Sequence, residues 1–330
     1  MYCSLQHAGL HSGRLYREAS AIPDPRDGDS VPSVPAGQSG SRAWLAQLEL
    51  PTWLLIAVIY GGWFGTVALW RQLGPWLGTP LLIVLTSWYM SLQHELIHGH
   101  PTRHGWLNAL FGQLPLAVWY PYAVYRDSHL AHHRDESLTL PGVDPESYYH
   151  ASLPAGAVAR SLLRWRNTAV GRLLLGPALG WLATLRAALR SGQRQQLLVW
   201  GSHLLLLGLL LLWLRQAGIA PWYYLLCIAY PALALAMVRS FYEHRAVPDA
   251  AARSVLNEAA WPWRLLFLNL NYHLVHHLHP GLPWYRLRHA YLAERQYYQQ
   301  LSGGFVEQGY LPLLWRHRRR PVIDTLHPFA

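Results

Sequence analysis

An all-α integral membrane protein, with four transmembrane helices and further helices lying in the membrane interface, is the fold class that the sequence predicts. Three observations predict it. The 330-residue chain is 52% hydrophobic, and its apolar residues are gathered into long runs rather than spread along amphipathic elements. Its net charge of +10 comes from arginine alone, since there is no lysine, and the arginines crowd to one side of those runs. Its 19 histidines recur at fixed spacings just beyond the ends of the runs.

Taken in order, residues 1–42 are rich in Gly, Ser, Pro and Asp, have no apolar period, and read as a disordered tail without the apolar stretch of a signal peptide. Pro51 to Trp70 is a charge-free run long enough to cross hydrocarbon. Gly78 to Leu92 is shorter and reaches full span by starting at Leu73 and running into His94, so the first two spans form a hairpin turned at Arg71 to Gly78. Gly105 to Tyr122 is apolar but carries Asn108, Gln113 and Pro115. If it crossed, the histidines before and after it would emerge on opposite faces, so a re-entrant or interfacial hairpin is expected.

Ala157 to Trp165 and Arg172 to Arg186 read as amphipathic helices lying in the interface, the apolar core of the second being too short to span. Gln196 to Leu214, interrupted only by Ser202 and His203, and Ile219 to Val238 complete the four spans. The chain thus divides into a tail (1–42), a membrane domain (43–290) and a C-terminal cytoplasmic tail (291–330), in which Arg316 to Arg320 is a basic stretch at the membrane surface.

In a soluble chain such a charge would suggest nucleic acid; here the positive-inside bias explains it, and no nucleic-acid partner is expected. Arg71 and Arg215 lie in the short connections between paired spans, whereas Arg103 to Arg194 and Arg239 to Arg264 flank the long segments. The long segments and both termini are therefore expected in the cytoplasm. The lack of lysine, with abundant Arg, Ala and Leu, is consistent with a GC-rich bacterial gene, and a bacterial inner membrane is the expected location. With Cys3 and Cys227 as the two cysteines, a four-cysteine iron–sulfur cluster is excluded, so any electrons come from elsewhere.

The chemistry lies in the histidines. His273, His276 and His277 follow the spacing i, i+3, i+4, which puts three imidazoles on one helix face. His129, His132 and His133 repeat it, and His94 and His98 form an i, i+4 pair. Chance would give roughly 0.06 copies of H-x-x-H-H in such a chain, so two copies mark a metal site rather than scattered core histidines. A lone histidine is more often a hydrogen-bonded core or interface residue, which is the reading for His7, His11, His150, His203, His317 and His327. His244 emerges about one turn beyond the fourth span and is a candidate ninth ligand. Nine imidazoles are too many for one metal and suit two; histidine-only ligation fits Zn, Cu, Fe or Ni. Two irons beside a membrane suggest oxygen activation and a lipid substrate.

The three boxes, His94-Glu95-Leu96-Ile97-His98, His129-Leu130-Ala131-His132-His133 and His273-Leu274-Val275-His276-His277, resemble those of the membrane fatty acid desaturase and hydroxylase superfamily in form and in order among the spans. The resemblance covers residues 50 to 290. The continuation Leu278-His279-Pro280-Gly281-Leu282-Pro283 is similar to the ending of the third box in acyl desaturases. It implies a four-helix stem under a cytoplasmic helical cap, two non-haem irons held by His94, His98, His129, His132, His133, His273, His276 and His277 with His244, and O2 as co-substrate. It further implies desaturation of an acyl lipid or fatty acid, with an external electron donor of ferredoxin, rubredoxin or cytochrome b5 type.

Hydroxylation, carotenoid oxygenation and alkene-forming decarboxylation share the box pattern, and a non-catalytic zinc-binding membrane protein is the alternative from another class. Around the boxes, Glu95, Asp127, Asp135 and Glu243 could orient imidazole N–H groups or be solvated cap residues. His100, roughly 200° from His98 on a helix, is expected outside the ligand set, and His104 more so. Asn271 resembles a position near the third box that the family associates with a metal-bound water. His279-Pro280-Gly281 is too close to the third box for a haem fold.

Overall fold

The computed structural model describes residues 48–329. The tail expected at 1–42, with Cys3, His7 and His11, lies outside them. Apolar runs fold as helices because helical pairing satisfies their backbone without water. The first, α1 (Leu50–Ala68), starts with proline in its first turn, where a missing N–H costs nothing. One residue later α2 (Trp70–Ile97) begins, kinks at Gly74 (φ 65°) and runs back along α1. Glu49, just before α1, lies 2.7 Å through its carboxylate from His100 Nδ1, just after α2.

The hydrophobic segment after α2, expected to be a re-entrant or interfacial hairpin, folds as two short helices joined through a 3-10 turn. Helix α3 (Gly105–Gly112) leads into a 3-10 turn (Pro115–Ala117) and then α4 (Tyr122–His132). Such non-helical backbone leaves carbonyls that must find donors, and side chains of the long helices supply them. Tyr60 donates to the Phe111 carbonyl. The Tyr89 hydroxyl lies 2.7 Å from the Gly112 and Leu114 carbonyls, and Gln93 Nε2 donates to Gly112. Tyr224 donates to Leu116 at 2.6 Å, and His203 Nε2 lies 3.0 Å from the Val118 carbonyl. His203 is thus the hydrogen-bonded core histidine expected of it.

Helices α5 (Ala157–Arg166) and α6 (Ala169–Ser191) meet at a 109° bend. The bend requires Gly171, where a Cβ would sit 1.9 Å from the Trp165 carbonyl oxygen. Helix α7 (Arg194–Ala217) turns at Gly218 (φ 99°) into α8 (Pro221–Tyr242), which contains a π turn at Tyr224–Ala229 just ahead of Pro231. The wider turn accommodates a residue that has no N–H to give and would crowd the carbonyl four residues back. Among the described residues α1, α7 and α8 are long and apolar enough to cross a membrane, and α5 with α6 would be if the bent pair counted as one. Helix α2 has 28 residues, but its last turns carry Gln93, His94 and Glu95.

Over this stem lies a cap of short elements: β1 (Leu256–Asn257), α9 (Trp261–Leu266), α10 (His273–Leu278), α11 (Trp284–Ala293), α12 (Arg295–Leu301), β2 (Val306–Glu307) and α13 (Tyr310–Arg316). β1 and β2 pair in parallel. Residues 291–329 are folded onto the cap. Tyr291 and Tyr298 pack with Leu256, Leu274 and Leu287, while Leu313 and Val322 pack with Ala169 and Phe241.

Candidate metal centre

Each histidine box is held by a different device. His94 lies in the last turn of α2 and His98 caps it; His129 and His132 lie in the last turn of α4 and His133 caps that. The third box is α10, whose six residues are too few to hold themselves. Backbone pairing fixes it: Asn257 N donates to Asn271 O at 2.8 Å and Leu274 N to Val255 O at 3.1 Å. The same strip holds His244, since Val255 N donates to Glu243 O and Arg245 N to Arg253 O, each at 2.9 Å.

The structure brings all nine candidate histidines together, in two groups. His94, His98, His129, His133 and His276 form one; His132, His244, His273 and His277 form the other. The spacing H-x-x-H-H explains the division. Residues i and i+4 differ by about 40° around a helix, whereas i+3 falls about 60° to the other side of i. His129 and His133 therefore face one group and His132 the other; His273 and His277 face the second group and His276 the first. Each three-histidine box serves both positions.

Nε2 atoms converge within each group. His98–His129, His129–His133 and His133–His276 are 3.0 Å apart, as are His132–His244 and His244–His273, with His273–His277 at 3.2 Å. Two nitrogens bound at about 2.1 Å to one metal and about 90° apart would be about 3.0 Å from each other. Glu146 Oε1 is 3.1 Å from His129 Nδ1 and Asp144 Oδ1 is 2.8 Å from His132 Nδ1. Ionised carboxylates only accept, so Nδ1 carries a proton in both rings, and the neutral His129 turns an Nε2 lone pair toward His98 and His133. A cation held among the converging nitrogens would account for this packing. His94, fully buried, has no hydrogen-bond partner at either ring nitrogen. The donor set fits two metal ions.

Burial, then the neighbouring imidazoles, holds His98, His133, His244, His273 and His276 well below the usual histidine range, so these rings are neutral and ready to bind. Burial also pushes His129 down to about 4 in spite of Glu146. His132 goes the other way. Burial lowers it, but Asp144 and Glu146 outweigh that and raise it to about 9. A small cavity of about 30 Å³, room for about one water, lies among Asp144, Glu146, Glu243 and His244.

Residues 71–308 match the family model described as fatty acid desaturase. The chain belongs to the fatty acid desaturase family. It is also 26% identical over 251 residues to an sn-1 oleoyl-lipid 12-desaturase of Picosynechococcus sp., covering 66% of this chain and 70% of that one. The membrane helices and the histidine-rich site of this desaturase family member accord with that membership.

Of the acidic residues expected near the boxes, Glu243 lies 3.5 Å from His273 Nδ1. Glu95 turns away and accepts from Trp284 N at 3.0 Å; Asp127 is solvated and paired with Arg126. The Asp135 side chain lies outside what the structure describes. His100 binds Glu49, and His104 is the residue preceding α3; neither joins a group. Asn271 is buried, and its Nδ2 donates to Asn257 O, tying it to β1. Sequence reasoning missed Asp144, Glu146 and Ser254, whose Oγ is 3.2 Å from His244 Nδ1. Among the 17 acidic residues Asp27 with Asp29 and Asp135 with Glu136 stand as close together as Asp144 with Glu146, so no sequence signal singled this pair out.

Proposed function

We propose that this protein is a membrane-bound, O2-dependent acyl-lipid desaturase with a non-haem di-iron site. The observation that carries the reading is the division of nine imidazoles, six of them buried, into groups of five and four whose ring nitrogens converge, in a chain of the desaturase family. His94, His98, His129, His133 and His276 would hold one iron and His132, His244, His273 and His277 the other. Such a pair supplies the two-electron reduction of O2 and the strength to break an unactivated C–H bond.

The chain's own residues do the rest. Asp144 and Glu146 hold the Nδ1 protons of His132 and His129, fixing tautomer and ring orientation. Burial keeps the remaining imidazoles neutral. Overall, two hydrogens from neighbouring acyl carbons and two electrons with two protons from outside convert O2 to two waters and leave a C=C bond. Two cysteines cannot store those electrons as a cluster, so a ferredoxin-, rubredoxin- or cytochrome b5-type donor is required. The cytoplasmic face of a bacterial inner membrane, with α1, α2, α7 and α8 as the four spans, is the proposed setting. A glycerolipid-bound acyl chain is the proposed substrate, on the strength of the oleoyl-lipid relative.

The test is lipid mass spectrometry on host cells making the intact chain or its His276→Ala variant, with metal analysis of the purified protein. A product two hydrogens lighter, absent with the variant, and two irons per chain are expected. A product heavier by one oxygen would make the enzyme a hydroxylase, and a one-carbon-shorter alkene a decarboxylase. Zinc in place of iron with unchanged lipids would overturn the oxidative reading.

A further inference from the structure

Asp144 and Glu146 sit in an irregular segment, residues 138–150, whose own bonds are short-range. Thr139 N donates to Asp144 Oδ2 and Glu146 N to Asp144 Oδ1, each at 2.8 Å, and Ser147 Oγ donates to the Thr139 carbonyl at 2.6 Å. Local bonds shape the turn but do not place it against α4. Arg253 donates to the Leu138 carbonyl, Arg166 to the Tyr148 carbonyl and Ala246 N to the Tyr149 hydroxyl; the contacts nearest Thr139 and His150 come from residues 321–329, nearly two hundred positions away. His150 N donates to Thr325 O at 2.9 Å and His327 N to His150 O at 3.0 Å, a parallel bridge. Val322 N, donating to Asn167 O at 2.9 Å, fixes the other end of the strap.

The side chain of His327 completes the clamp. It is 6% exposed, and its ring meets Tyr149 at 5.2 Å. Phe329 N donates to its Nδ1 at 3.1 Å, so Nε2 carries the proton and donates to Thr139 Oγ1 at 3.0 Å. From there the path is direct. Thr139 N holds one oxygen of Asp144, and the other oxygen holds His132 Nδ1.

Resting on the metal-site reading above, we infer that residues 321–329 are a structural part of the metal centre, and that His327 is a positioning residue for the position held by His132. The strap sets where Asp144 stands, and Asp144 sets the tautomer and angle of His132. Loosening it acts on the four-histidine group. The five-histidine group keeps four ligands, His94, His98, His133 and His276, that owe nothing to Asp144. A carboxylate that orients a ligand is worth about 10–100-fold in metal affinity, and a residue acting through it should lie at the low end.

The experiment compares the intact chain with His327→Ala, His327→Gln and Thr139→Val, measuring iron per chain and Fe(II) dissociation constants by anaerobic titration, with thermal unfolding as a control. His327→Ala and Thr139→Val are expected to weaken one of two sites about tenfold. His327→Gln, whose amide can still donate to Thr139, is expected to restore it, with the unfolding temperature common to all. Equal weakening of both sites, equal weakening in His327→Gln and His327→Ala, or two unaltered sites in His327→Ala would each overturn the inference. An intact chain that takes up no metal would overturn the site reading and this inference together, whereas two sites indifferent to His327 would leave that reading standing.

Discussion

At the scale of single residues, the two carboxylates on the second box divide their work. Glu146 meets His129 of the five-histidine group and Asp144 meets His132 of the four-histidine group. Asp144→Asn is therefore expected to weaken one metal about 10–100-fold and Glu146→Gln the other, read by competitive titration with a chelator. Loss at the same position in both variants would contradict the division. The ligands themselves were legible in the sequence because 3.6-residue periodicity acts locally and i, i+3, i+4 spacing needs no distant information. Asp144 and Glu146 were not, since they stand in an irregular segment placed by distant residues, among them Arg166, Arg253 and Thr325. His150 shows a second residue-scale effect. Burial, with Arg166 beside it, holds its imidazole down to about 4. Its folded form resists a proton that the unfolded chain accepts near 6.5, so its contribution is complete above about pH 6.5 and is lost as pH falls toward 4. The thermal stability of His150→Gln should thus fall less than that of the intact chain between those limits; an identical fall would refute the assignment.

At the scale of elements, the segment between α3 and α4 brings irregular backbone in among the long helices. Four long helices donate to it, from Tyr60, Tyr89, Gln93, His203 and Tyr224. The sequence predicted a re-entrant shape from Asn108, Gln113 and Pro115 and from the need to keep the boxes on one face. It did not show which side chains would satisfy the carbonyls, because those donors come from helices scattered across the chain and look like ordinary aromatic residues of a span. Tyr224→Phe removes the hydroxyl that bonds the Leu116 carbonyl and adds nothing. The expected cost is about 1–3 kcal/mol, that of a buried acceptor left without a donor. Thermal unfolding in detergent measures it, and an unchanged midpoint would mean that Leu116 finds another donor.

At the scale of the whole molecule, contacts between distant residues limit how the chain can thread a bilayer. Two residues in contact on one face must be separated by an even number of crossings. Glu49 and His100 flank α1 and α2 and lie 2.7 Å apart, so if α1 crosses, α2 crosses as well, despite the polar turns that lower its hydropathy. His133 and His276 have Nε2 atoms 3.0 Å apart, with α5, α6, α7 and α8 between them. Helices α7 and α8 provide two crossings, which leaves none for the bent pair α5 and α6, however apolar it is. Four spans are therefore expected if α1, α7 and α8 cross, with Trp76 and Gln216 on one side and Glu136 and Gln308 on the other. In a chain with Cys3 and Cys227 replaced by serine, single cysteines at these four positions can be labelled with a membrane-impermeant maleimide in vesicles of both orientations. Trp76→Cys and Gln216→Cys should react from the face opposite to Glu136→Cys and Gln308→Cys. Reaction of Trp76→Cys and Gln308→Cys from the same face would mean that α2 does not cross and, through the Glu49–His100 contact, that α1 does not cross either, which would remove the first pair of spans on which the positive-inside reading of the arginines rests.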